Sequence, residues 1–95
     1  MKLQICAVYD TKAKIYEAPF FVPHVAIATR GFMELCKKAD SPVGKYPEDF
    51  ELHKLGVFEN EKQPNNIHCQ QFDEIISVLL RGKDLVQKAT EDQEK

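Results

Sequence analysis

The chain of 95 residues contains no tryptophan, only four glycines, three cysteines and no marked excess of either charge, its net charge being −2. Each shortage removes a class of protein. With so few glycines, no glycine-rich run precedes a helix, so no phosphate-cradling loop is present. Cys6, Cys36 and Cys69 are odd in number and far apart, which fits neither a disulfide framework nor a zinc ribbon. Each reads as a small apolar filler. No apolar run approaches the roughly 20 residues needed to cross a bilayer. The opening Met-Lys-Leu-Gln-Ile-Cys-Ala-Val-Tyr-Asp lacks the apolar segment of a signal peptide. The expectation is a protein that stays in the cytoplasm where it is made. The near-neutral charge excludes a globally basic nucleic-acid binder.

What is present is enough for one modest core. Hydrophobic residues make up 43% of the chain, and three Tyr and six Phe supply aromatic bulk. A single domain over residues 1–87 is expected, followed by a polar, frayed tail over 88–95. A core of this size is marginal, and dimerisation often completes it. Charge is uneven along the chain: residues 1–58 hold eight Lys/Arg and seven Asp/Glu, whereas 59–95 hold five and eight. Any anion-binding surface is therefore a local patch.

Residues 2–9 alternate, with Leu3, Ile5, Ala7 and Tyr9 on one face and Lys2, Gln4, Cys6 and Val8 on the other, as a strand does. Asp10-Thr11-Lys12 suits a turn in which Asp10 bonds the backbone two residues on. A second strand follows from Lys14 to Ala18. Pro19 bends it or confines it to an edge, and Pro23 ends it. Residues 24–39 form the clearest helix, with Val25, Ala28, Phe32, Leu35, Cys36 and Ala39 in one stripe. Gly31 inside it is expected to allow a close approach to the sheet. Lys37 and Lys38 are expected in its last turn, where they complement the helix dipole. Residues 40–48 read as a loop. Residues 50–58 read as a third strand, with Phe50, Leu52 and Phe58 on one face, Leu55 and Val57 on the other, and a bulge or close neighbour at Gly56. Ile67-His68-Cys69-Gln70 offers a short fourth strand. Asp73 to Val86 reads as a C-terminal helix carrying Ile75, Ile76, Leu79 and Leu80. The expected fold is α+β, ββαβ(β)α: a small antiparallel sheet of three to four strands with one long helix packed on it and a C-terminal helix.

Few of these residues promise chemistry. His24, His53, His68 and the cysteines lack the close spacing of a metal knuckle, so neither a metal nor a cofactor is expected. Cys36 sits on an apolar stripe, where a thiol is inert. The acid pairs Glu48-Asp49 and Asp73-Glu74 read as caps of turns or helices. No catalytic residue is assigned, and the protein is expected not to be an enzyme. Binding remains. Single-stranded nucleic acid is held by aromatic platforms and cations, and Lys2, Lys12, Lys14, Tyr16, Arg30 and Lys54, with His53 nearby, supply both. The competing reading is that strand lysines keep edges soluble and that Arg30 pairs with Glu34 one turn on. Phe20 and Phe21 are adjacent, so one enters the core and the other faces out. Phe21, with Ile76 and Leu80 of the last helix, is the candidate dimer or partner surface.

Five motifs fall within the first 59 residues: Val-Tyr-Asp-Thr-Lys-Ala (8–13), Pro-Phe-Phe-Val-Pro (19–23), Ala-Thr-Arg-Gly-Phe (28–32), Tyr-Pro-Glu-Asp-Phe (46–50) and Leu-Gly-Val-Phe-Glu (55–59). In this order and spacing they resemble the small non-structural proteins of gokushoviruses, single-stranded DNA bacteriophages of the microvirus group. Arg30 and Phe32 fall where that family has its helix Arg and Phe, while His24 stands where a capping Asn is expected. The resemblance implies a protein of phage DNA replication, located in the host bacterial cytoplasm and not part of the virion. Its implied partners are single-stranded DNA or the phage or host replication machinery. The other reading is a non-catalytic interaction or dimerisation module that binds a phage or host protein, with a homodimer expected and no membrane contact.

Overall fold

The computed structural model describes residues 2–59 and 70–86. Its centre is a pair of long antiparallel strands, β1 (Lys2–Asp10) and β4 (Phe50–Glu59), the strands that the sequence predicts there. β5 (Gln70–Arg81) lies antiparallel on the outer side of β4. The other side of β1 carries two short strands in tandem. β2 (Ile15–Tyr16) pairs with Tyr9 and Asp10, and β3 (Phe20–Val22) pairs with Gln4 to Cys6. The interruption between them contains Pro19, which has no N–H to give the ladder, so this edge is broken into pieces.

Helical segments pack on one face only. α1 (Val25–Cys36) buries Ala28 and Phe32, and the one-turn helix α2 (Pro42–Lys45) buries Val43. These meet Cys6, Val8, Phe50 and Leu52 of the two central strands in a continuous core, with Leu79, Leu80 and Leu85 partly buried at its border. A buried Phe or Leu stabilises such a core by roughly 1.5–3 kcal/mol. α1 starts without a side-chain cap: His24 holds the extended N-cap conformation but makes no cap hydrogen bond. α2 is capped in full, since Ser41 Oγ accepts from Gly44 N at 2.9 Å. Together with a 3₁₀ turn at Pro47–Asp49, α2 gives helical structure to a segment whose composition reads as loop.

The expected α+β class and antiparallel sheet are present, with five strands. The bulge expected at Gly56 is also present. Ile5 lies opposite Gly56 and Cys6 opposite Lys54, so Leu55 is the extra residue. That insertion moves Phe58 to the face opposite Phe50 and Leu52, against the simple alternation. Phe58 lies across from Leu3 and packs on Phe21. Gly56 has the expected close neighbour, because a Cβ there would collide with the backbone carbonyl of Gln71.

Three expectations are corrected. The segment 73–81 is strand, not helix; only a helical turn over 82–86 follows it. Its apolar residues fit helical spacing, but Ile75, Ile76 and Val78 are β-branched, and the free side of β4 pairs with β5 on both sides of residues 73–76, at Gln70–Phe72 and from Ser77 to Arg81. Gly31 does not touch the sheet: it is exposed, and a Cβ there would meet nothing within 4 Å. Lys37 is the C-cap of α1 and Lys38 lies beyond it, so neither is in the last turn. Glu59, expected to begin a polar turn, ends β4; the rest of that turn at 60–66, most of the short strand at 67–70 and the polar tail at 88–95 lie outside the described residues.

Candidate nucleic-acid interface

Among the described residues no helical segment packs on the opposite face of the sheet, yet Ile5, Ala7 and His53 on that face are buried. Residues on that face follow from the register: Ile5, Ala7 and Tyr9 of β1, Tyr16 of β2, Phe21 of β3, and Glu51, His53 and Phe58 of β4. β5 adds Phe72 opposite Gly56 and Arg81 opposite Glu51. Aromatic rings therefore occupy both ends of the face.

At one end Tyr9, Tyr16 and His53 form a three-ring cluster. The ring centres are 4.8 Å apart for Tyr9 and Tyr16, and 5.1 Å for Tyr9 and His53, which lie nearly parallel. Tyr16 meets His53 edge-on at 5.4 Å. Tyr16 is 37% exposed, whereas His53 is buried at 7%. Both nitrogens of His53 are engaged: Nδ1 lies 2.7 Å from the Tyr16 hydroxyl and Nε2 lies 2.8 Å from Glu51 Oε1. A carboxylate only accepts, so Nε2 carries the hydrogen; in the neutral ring Nδ1 then accepts the Tyr16 proton. Arg81 Nε holds the second carboxylate oxygen of Glu51 at 3.5 Å.

The Tyr16 phenol is pushed above its ordinary value, first by desolvation and then by the neighbouring Tyr9 and Glu51. It is thus a hydrogen-bond donor and not an activated nucleophile. Burial likewise pushes up the thiols of Cys6 and Cys36, although Lys54 opposes the shift at Cys6. Among the described residues no three His, Cys, Asp or Glu side chains converge as metal ligands.

Beside the aromatic cluster stands the Thr11–Lys14 loop, which connects β1 to β2. As the sequence predicts, Asp10 organises it: its Oδ1 accepts from Lys12 N at 2.9 Å and Ala13 N at 3.0 Å. Thr11 donates through both its N–H and its hydroxyl to the Asp49 carbonyl, each at 2.9 Å. Lys14 closes the loop in the left-handed region, at φ 60°. That conformation costs a non-glycine residue roughly 1–2 kcal/mol. The loop is therefore pinned, and it presents Lys12 and Lys14 as exposed cations next to Tyr16.

The six residues put forward from sequence as a nucleic-acid surface divide into two groups. Lys12, Lys14 and Tyr16 come together. Lys2 lies at the far end of β1, about 27 Å away at the rise of an extended strand. Lys54 lies opposite Cys6 on the helix-covered face and is ion-paired with Asp73 at 3.3 Å. Arg30 is exposed on α1, again on the helix side. The candidate partner surface also divides. Phe21 sits at the β3 edge, Ile76 is exposed on β5, and Leu80 is turned toward the core opposite Leu52.

Tyr9, Glu51 and Arg81 belong to the site and escaped the sequence reading. Period two puts Glu51 and His53 on one face of β4, and Tyr9 on the matching face of β1, so part of the signal was present. Arg81 became visible only once its segment proved to be strand.

The fold and this face define a small α+β protein with an aromatic cluster beside a pinned cationic loop. The chain belongs to the phage ORF5 protein family, whose model matches residues 3–75, from β1 into β5. It is a phage protein. No curated protein and no solved structure matches it.

Proposed function

We propose that this phage protein acts in viral DNA replication by binding single-stranded DNA at the Tyr16 end of the sheet face opposite α1, without catalysing a reaction. The observation that carries this reading is the Tyr9–Tyr16–His53 cluster beside Lys12 and Lys14. The partly exposed Tyr16 ring offers a base a stacking partner, worth about 1–3 kcal/mol per base. The adjoining Lys12 and Lys14 supply charge for the flanking phosphates, whereas the charge of Arg81 is offset by Glu51. The replication stage, the host cytoplasm as the place of action and absence from the virion rest on the likeness of the N-terminal motifs to gokushovirus non-structural proteins.

The test is fluorescence anisotropy with a labelled single-stranded oligonucleotide at two salt concentrations. Affinity falls with salt through counterion release, and the double variant Lys12→Glu/Lys14→Glu lowers the log–log salt slope by roughly 1–2. Tyr16→Ala lowers affinity roughly five- to a hundredfold, while Lys2→Glu leaves it unchanged. Absence of binding at low salt, or binding indifferent to Tyr16 and both loop lysines, overturns the reading.

A further inference from the structure

Two apolar features have no partner among the described residues. The first is a groove of about 310 Å³ on the helix side, between α1 and the β1–β3 edge, lined by Val8, Phe20, Val22, Ile27, Gly31 and Phe32. It lies at the lower end of the range that binding pockets span. Gly31 forms part of its wall. A glycine inside a helix costs about 1 kcal/mol relative to alanine, yet no packing in this chain requires it, because a Cβ there meets only open space. The second feature is a knob on the opposite edge of the sheet. Between Lys54 and Gly56 of β4 a single residue, Leu55, is matched by residues 73–76 of β5, so β5 bulges outward there. The bulge exposes Ile75 at 84% and Ile76 at 43%. Such a bulge also blunts the edge against simple strand pairing, so adding a second β5 alongside does not bury these residues.

We propose that the knob of one copy seats in the groove of the next, Ile75 and Ile76 entering beside Gly31. Charge supports a second copy as the occupant. Arg30 neighbours the groove, three residues from Ile27 and adjacent to Gly31, and Glu74 adjoins Ile75. Neither makes an ion pair among the described residues, even though Glu34 stands one turn from Arg30. The seated knob brings Glu74 to Arg30. Because knob and groove lie at opposite edges of one sheet, the contact is head-to-tail, and it repeats as a ring or an open chain instead of closing as a twofold dimer. This inference stands apart from the DNA reading, since Gly31 and Ile75 are both remote from Tyr16.

The test uses light scattering on the full chain over a wide concentration range, with Gly31→Phe to fill the groove and Ile75→Asp to remove the knob. Both positions are exposed, and thermal unfolding of each variant checks that the fold is kept; Gly31→Leu and Ile76→Asp serve as second choices. The wild type is expected to grow with concentration beyond twice the single-chain mass of 10.9 kDa. Each variant alone stays at the single-chain mass. Their mixture restores a two-chain species and stops there, because one variant offers only a knob and the other only a groove. A wild type that remains a single chain throughout overturns the proposal. So does a closed dimer that survives either substitution, or a mixture that does not re-form the pair.

Discussion

The Tyr16 hydroxyl lies 2.7 Å from Nδ1 of His53, joining residues 37 apart in sequence across three strands of the sheet. This bond fixes the ring that faces solvent to the ring that is buried. Glu51 and Arg81 continue the line toward the far edge. Tyr16 is thereby held in one orientation before any ligand arrives.

Removing either end of that bond has a predictable cost. Tyr16→Phe leaves Nδ1 of a buried imidazole without its partner and destabilises by about 1 kcal/mol. His53→Ala also strips Glu51 and empties the space beneath Tyr9, for roughly 2–3 kcal/mol. Urea unfolding measures both, and the double variant tests their coupling. Additive losses would mean that the two groups do not interact.

The ionisation of Tyr16 is displaced upward by desolvation, with Tyr9 and Glu51 adding to it. An absorbance titration of the wild type minus that of Tyr16→Phe is expected to show this phenol ionising above the ordinary phenol value of 10.0. In Glu51→Gln it ionises at lower pH than in the wild type. The folded phenol holds its proton more tightly than the unfolded one. Its contribution to stability is therefore complete below the unfolded value and is lost as pH climbs through the folded value. A Tyr16 titration at or below the ordinary value contradicts this.

Two glycine-to-alanine substitutions are expected to differ in sign. Gly56→Ala drives a methyl into the Gln71 carbonyl and destabilises by roughly 2 kcal/mol or more. Gly31→Ala meets open space in a helix and stabilises by about 0.8–1 kcal/mol. Thermal midpoints of the two variants check the pair. A destabilised Gly31→Ala would show that this glycine does serve the chain's own packing.

Lys14 offers a separation of stability from binding. Its left-handed backbone suits glycine, so Lys14→Gly is expected to raise stability by roughly 0.5–1 kcal/mol. If the loop cations hold phosphate, the same variant binds single-stranded DNA more weakly. A variant both more stable and equally tight in binding would assign Lys14 no part in the interface.

Much of this fold was legible in the sequence because its signals are local. The alternation of β1, the Asp10 turn, the apolar stripe of α1 and the bulge at Gly56 each depend on neighbours within a few residues. The reading failed at β5 because Ile75, Ile76, Leu79 and Leu80 satisfy two periods at once. What settled the ambiguity was a hydrogen-bonding partner, β4, whose free side no local window reveals. The same error hid Arg81 and displaced the expected partner surface. The cation set divided for a related reason: lysines of one strand or one helix look equivalent in sequence until the register assigns them a face.

By itself the sequence determined β1, the Asp10 turn that carries Lys12 and Lys14 and the apolar stripe of α1, since backbone propensity and side-chain period act over short range. Only the tertiary structure decided which sheet face α1 covers, and hence that Tyr9, Tyr16 and His53 meet on the other. That choice depends on how apolar area from distant segments is buried together, a quantity that belongs to the whole chain and to no stretch of it.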